Sequence, residues 1–266
     1  MQRIAFVGSG HLAHALWEGW HRNPPHPRQF SLIVRSDAHR SLWTEVEWAR
    51  ASTELDCLDD AQVVVVAVKP KDMQRALELV VPRIDAQAVV VSPVAGWTIN
   101  QLRQAGVRGP VARIMPNVCA AIGASTTLAS FDGVDSRMGP GLEAFLAECG
   151  PLTVVPETQI NPFTALVGSG PAYVFLLLEA LIASGQQMGV DAQRSRELVS
   201  SMVEGAAKLA KDRSGDSLAD WIGQVASPGG TTEALLRVLN ESGWPAVLQE
   251  AVVAAGKRAA ELGSAS

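Results

Sequence analysis

Arg3-Ile4-Ala5-Phe6-Val7-Gly8-Ser9-Gly10-His11-Leu12-Ala13 decides the fold. A short run suited to a buried strand enters a glycine turn, and an amphipathic stretch, Leu12–His21, follows at once. Strand, Gly-rich turn and helix in that order form the unit that cradles a dinucleotide diphosphate, and Gly8-x-Gly10-x-x-Ala13 matches its spacing. Gly8 permits the tight turn, Gly10 lets backbone approach the phosphates, and Ala13 is small enough to keep the helix on the sheet. The helix start adds N–H groups and a partial positive charge. Cofactor contacts are expected from Gly8, Ser9, Gly10, His11 and Leu12.

Outward from this turn, β-rich and helical stretches alternate. Strands are predicted at Arg3–Val7, Phe30–Val34, Gln62–Val68, Ala88–Ser92 and Val111–Ile114, with helices at Leu12–His21, Ala38–Trp48 and Asp72–Ile84 between them. Val63–Val68 is apolar on both faces, as a central parallel strand covered by helices must be. Ser125–Ala129 and Leu152–Val155 read as further strands around a helix at Gly141–Cys149. Beyond Glu157 strand signals stop, and helical periodicity runs through Ala172–Met188, Ala192–Lys211, Leu218–Val225, Glu233–Glu241 and Pro245–Leu262. The expected class is α/β: a Rossmann-type doubly wound parallel sheet over residues 1–156, then an all-helical domain over residues 157–266. The Ala/Leu/Val-rich helices of that second half are expected to bury their apolar faces against a second subunit.

Composition narrows the function. A net charge of −5 argues against nucleic acid, whose phosphates demand clustered Lys and Arg. Val63–Val68, the longest apolar run of the N-terminal half, is far short of the roughly 20 residues a membrane span needs. The N-terminus lacks the apolar core and cleavage site of a signal peptide, so a cytoplasmic location is expected. Cys57, Cys119 and Cys149 fit neither a disulfide framework nor a zinc site, and no metal is expected. All five histidines fall within the first 39 residues, so the C-terminal half supplies no histidine base.

Further cofactor contacts are expected at strand ends. Arg35-Ser36 follows the second strand where an NAD site places Asp or Glu; a guanidinium and a hydroxyl suit a 2′-phosphate instead, favouring NADP(H) while leaving NAD(H) possible. Ala67-Val68-Lys69-Pro70 ends the central strand, and its backbone and Lys69 are expected to face the ligand. Arg113–Asn117 ends a later strand, where Asn117 is expected to bond the nicotinamide or ribose and Met115 to wall the ring.

Two glycine motifs interrupt the helical half: Gly168-Ser169-Gly170-Pro171-Ala172-Tyr173 and Ser227-Pro228-Gly229-Gly230-Thr231-Thr232. In the second, Ser227 reads as a cap, and Gly229, Gly230 and Thr231 offer consecutive backbone donors at a helix start, a site for a carboxylate. Thr232 adds a hydroxyl able to donate a proton or a hydrogen bond.

With these motifs, and with Ala67–Pro70, Ser92–Gly96 and Arg113–Asn117, the whole chain resembles the pyrroline-5-carboxylate reductases. The resemblance implies NAD(P)H-dependent reduction of 1-pyrroline-5-carboxylate to L-proline, the last step of proline biosynthesis, with NADPH preferred in most members. It also implies a helical dimerisation domain, a homodimer or higher homo-oligomer, and an active site between subunits. Ser227, Gly229, Gly230 and Thr231 would hold the substrate carboxylate, and Thr232, the catalytic residue, would face the ring nitrogen. His11, Val34, Ala226 and Asn161 depart from common residues of the family.

Another NADP-dependent cyclic-imine reductase remains an alternative. A β-hydroxyacid dehydrogenase would need a lysine base early in the helical half, and the stretch from Pro156 to Ala207 contains none. A non-enzymatic NADP-binding sensor would be expected to carry damaged motifs, and these are intact.

Overall fold

The computed structural model describes residues 1–22, 27–34, 43, 49–52 and 55–264. Contacts divide the chain into two compact units, Met1–Pro171 with Ala254–Ser266, and Ala172–Val253.

The first unit is built on an eight-stranded sheet in the order β3-β2-β1-β4-β5-β6-β7-β8. Its strands are β1 (Arg3–Val7), β2 (Gln29–Ile33), β3 (Ala49–Ser52), β4 (Val63–Val66), β5 (Val89–Ser92), β6 (Val111–Met115), β7 (Thr127–Asp132) and β8 (Leu152–Val154). Pairing is parallel from β3 through β6, and β7 then runs antiparallel to β6, with β8 parallel to β7. The sheet is therefore mostly parallel, as expected, and mixed only at one end. Only a short connection, Val118–Ile122 in a 3-10 turn and then Gly123–Thr126, joins β6 to β7, too little chain for a parallel crossover.

Alternate strand residues point to opposite faces, and each face has its own apolar layer. Ile4, Phe6, Val63, Val65, Ala112 and Ile114 pack with Leu16 and Trp20 of helix α1 (His11–Arg22) and Phe145 of α4 (Gly139–Ala147). Ala5, Val7, Val64, Val66, Val90 and Val111 pack with Leu77 of α2 (Met73–Val80) and Leu102 of α3 (Ile99–Gln104). Val63–Val66 is wholly buried, as a strand covered on both faces should be. Cys149 belongs to the first layer, where burial pushes its thiol well above the ordinary range and leaves it a poor nucleophile.

Past residue 157 every described element is helical. A short α5 (Ile160–Phe163) passes through a π-helical turn, Thr164–Gly168, into α6 (Gly170–Gln187). There follow α7 (Ala192–Asp212), α8 (Leu218–Val225), α9 (Thr231–Glu241) and α10 (Trp244–Ser264). Within Ala172–Val253 only Gly185 and Ser195 are buried. The helical run Glu157–Gln187 is long and apolar enough to cross a membrane, and only 11% of its most apolar stretch is buried.

Candidate active site

The strand order reverses at β1 and β4, the crevice where open α/β sheets bind ligands. Gly8, just past β1, has φ +102°, and a Cβ there would lie 2.7 Å from the carbonyl oxygen of Ala67, just past β4. Only glycine permits both the positive φ and that approach. The turn is pinned from both sides, by Gly8 N–H donating to Ile33 O at 3.0 Å and Ala67 N–H to Val7 O at 2.9 Å. Gly8–Leu12 and Ala67–Pro70 are thus brought together at the carboxyl ends of two central strands.

The first helical bond of α1 runs from His14 N–H to Gly10 O, so the N–H groups of His11, Leu12 and Ala13 precede it. A Cβ on Gly10 would meet nothing within 4 Å. Open space, a glycine and a helix start therefore coincide where a diphosphate is expected, and the residues present fit a dinucleotide. Lys69 is exposed, with its neighbours Ala67, Val68 and Pro70 half-buried. Arg35 and Ser36, expected at the 2′-phosphate, lie outside the described residues.

The end of β6 is more tightly engaged than the sequence suggests. Asn117 is buried; its Oδ1 accepts from Cys119 N–H at 2.9 Å, and its Nδ2 donates to Val167 O at 3.1 Å. Its amide thus caps the Val118–Ile122 turn and ties it to the π-helical turn. Met115, expected to wall the nicotinamide, instead packs with Leu128 and Ile160 and is 4% exposed. A Cβ on Gly168 would lie 2.8 Å from Met115 Sδ, so close packing on β6 is the physical reason for a glycine there.

Sequence reasoning missed the charged group behind this end. Arg113 is 1% exposed; its Nη1 donates to Glu157 Oε1 at 2.9 Å and its Nη2 to Asn161 Oδ1. Glu157 Oε1 also accepts from Ile99 N–H at 2.7 Å, at the start of α3. Burial holds the guanidinium below its ordinary value, and the Glu157 carboxylate opposes that shift. Arg113, Glu157 and Asn161 thereby join β6, α3 and the entry to α5.

In the helical unit, Ser227–Gly230 is a tight turn closed by Gly230 N–H donating to Ser227 O at 3.0 Å. Pro228 and Gly229 occupy its centre, and Gly229 has φ +71°, the arrangement of a type II turn. Gly230 was expected to present its N–H to a ligand, but that donor closes the turn. A Cβ on Gly230 would lie 2.7 Å from Ser227 Oγ, so its glycine serves the turn.

Gly230 then caps α9 through its backbone alone, with no side-chain hydrogen bond. Because Ala234 N–H makes the first helical bond, to Gly230 O at 3.2 Å, the N–H groups of Thr231, Thr232 and Glu233 precede it. The donor run is therefore displaced one step into the helix. Gly229 N–H meets the Glu233 Oε2 at 2.6 Å, a contact the sequence reading did not foresee.

The comparisons agree over both units. Residues 157–262 match the family model "Pyrroline-5-carboxylate reductase dimerisation", and residues 3–96 match "NADP oxidoreductase coenzyme F420-dependent". Pyrroline-5-carboxylate reductase 1 of Bacillus spizizenii is 33% identical, over 98% of this chain and 89% of its own length. The pyrroline-5-carboxylate reductase of Mycobacterium leprae is 34% identical, over 98% and 97%. Among solved structures, the 1-pyrroline-5-carboxylate reductase of Streptococcus pyogenes superposes with TM-score 0.85 at 26% identity, covering 97% of this chain and 98% of that one. The NADP-bound pyrroline carboxylate reductase of Plasmodium falciparum gives TM-score 0.89 at 22% identity, covering 98% of each chain, a likeness of fold. The chain belongs to the pyrroline-5-carboxylate reductase family.

Proposed function

We propose that the chain reduces the carbon–nitrogen double bond of 1-pyrroline-5-carboxylate to L-proline with NADPH, the last step of proline biosynthesis. Residues 1–156 form the dinucleotide half and residues 157–266 the substrate-binding and dimerisation half. The observation that carries the substrate reading is the Ser227–Thr232 turn, where a Pro-Gly-Gly bend delivers backbone donors to a helix start lacking a side-chain cap.

Gly8, Ser9, Gly10, His11 and Leu12 hold the cofactor diphosphate, with Ala67–Pro70 beside them at the end of β4. Arg35 and Ser36 take the 2′-phosphate, which makes NADPH the preferred donor and NADH the weaker one. When bound, the nicotinamide supplies a hydride. Asn117 positions the turn beside its ring through Val167 and also offers that ring its amide.

A protonated cyclic imine is already a good hydride acceptor, so the protein's main task is to hold it in place. Ser227, Gly229 and the N–H groups of Thr231 and Thr232 grip the ring carboxylate, and Gly230 shapes the turn that presents them. The Thr232 hydroxyl bonds the ring nitrogen as that nitrogen gains the electron pair of the broken π bond.

The exposed faces of α6 and α8, where Leu176 is 66% and Ile222 52% exposed, support a homodimer or larger homo-oligomer with a second copy covering them. We place the reaction in the cytoplasm. The test is oxidation of NADPH and of NADH followed by the loss of reduced-nicotinamide absorbance, with pyrroline-5-carboxylate and its six-membered analogue. NADPH oxidation with the five-membered imine, yielding proline, is expected; turnover confined to the six-membered ring would assign a different cyclic-imine reductase.

A further inference from the structure

The carboxylate of Glu233 already occupies a donor assigned above to the substrate. Its Oε2 lies 2.6 Å from the N–H of Gly229, one turn back along the chain. Glu233 stands at the third position of α9, where a carboxylate ordinarily reaches back to the N–H of the capping residue. Here the capping residue is Gly230, and its N–H is engaged by Ser227 O. The side chain therefore passes over Gly230 and bonds the next donor out. A helix start that would attract a free carboxylate is answered by a carboxylate of its own chain.

We propose that Glu233 is an internal competitor for the substrate carboxylate: it bonds Gly229 N–H and must swing away for substrate to bind. The inference rests on the proposed function, because it needs the substrate carboxylate at Gly229. Two carboxylates cannot share one N–H, so the apparent affinity for substrate is lowered by the fraction of sites in which Glu233 is docked. An exposed charge-assisted bond of this kind shifts that fraction enough to raise KM by about two- to tenfold. The same arm keeps stray small carboxylates out of the turn, since each must also displace it. Glu233 is exposed and is joined to the turn by this one bond, so it is able to leave.

Three variants separate this role from two plainer ones. Glu233→Ala removes the arm, Glu233→Gln removes its charge, and Glu233→Asp keeps the charge but is one methylene too short to reach Gly229. The expected result is a KM for pyrroline-5-carboxylate lowered about two- to tenfold in Glu233→Ala and Glu233→Asp. Inhibition by acetate should strengthen in step. Glu233→Gln should fall between these variants and the parent, because an amide oxygen is a weaker rival.

A KM for Glu233→Asp equal to the parent's, with Glu233→Ala lowered, would reduce the effect to bare charge repulsion and overturn the proposal. A raised KM in Glu233→Ala, with a lower melting temperature, would make Glu233 a helix cap alone and overturn it too. A parent enzyme inert toward pyrroline-5-carboxylate would instead overturn the proposed function, so the two failures are distinguishable.

Discussion

The two units treat their glycines and apolar residues in opposite ways. In Met1–Pro171 the chain answers itself: Val63–Val66 is fully buried, and Gly8 is fixed as glycine by the Ala67 carbonyl. In Ala172–Val253 little is answered. Leu176, Ile222 and Val225 are more than half exposed, and a Cβ on Gly229 would meet nothing within 4 Å. The first unit buries a core of its own, whereas the second displays surfaces that the proposed function assigns to another copy and to the substrate. A sequence can be well folded in one half and unfinished in the other.

The largest expected effect attacks the unfinished half. Leu176→Glu combined with Ile222→Glu should split the oligomer and abolish activity while leaving the sheet unit folded, since an interface of this apolar kind tolerates no buried unpaired charge. Light scattering and circular dichroism check it; a fully active monomer would erase the contrast between the units.

Next comes the self-answered half. Arg113→Met should lower stability by about 3 kcal/mol, the low end for breaking a buried pair, because Glu157 keeps a path to water. Urea unfolding measures this, and an unchanged midpoint would show that the polar knot adds nothing.

Thr232→Ala should cut kcat, about 100-fold if the hydroxyl supplies a proton and about tenfold if it only orients the ring, with Thr232→Ser recovering much of the loss. Parent-like turnover in a folded Thr232→Ala enzyme would make the hydroxyl a spectator. The most selective change expected is in cofactor choice. Arg35→Asp should weaken NADPH binding by about 1.5–3 kcal/mol and spare NADH, and equal losses for both would remove the 2′-phosphate assignment.

Periodicity exposed most of the sheet because its strands are rich in Val and Ile and its turns rich in Gly. It missed β3, where Ala49-Arg50-Ala51-Ser52 holds no β-branched or aromatic residue and forms a strand through its pairing with β2. It also passed over α3, only six residues long, although Thr98 and Gln101 form a capping box that marks its start. The glycine motifs of the site were legible as motifs, and their hydrogen bonds were not. That Gly230 closes its own turn, or that Asn117 holds Val167, depends on backbone conformation and on residues far away in sequence. Arg113 and Glu157 are 44 residues apart, and nothing local to either names the other.

The chain passes between its units twice, since Ala254–Ser266 returns to the first. On that return Ala259 is 3% exposed, and a Cβ on Gly256 would lie 3.9 Å from the Cβ of Ala165. During synthesis the sheet can therefore assemble early, but the unit containing it is finished only once α10 has been made. The helical unit, held between two connections, is born as a loop whose ends are closed when α10 returns to the first unit.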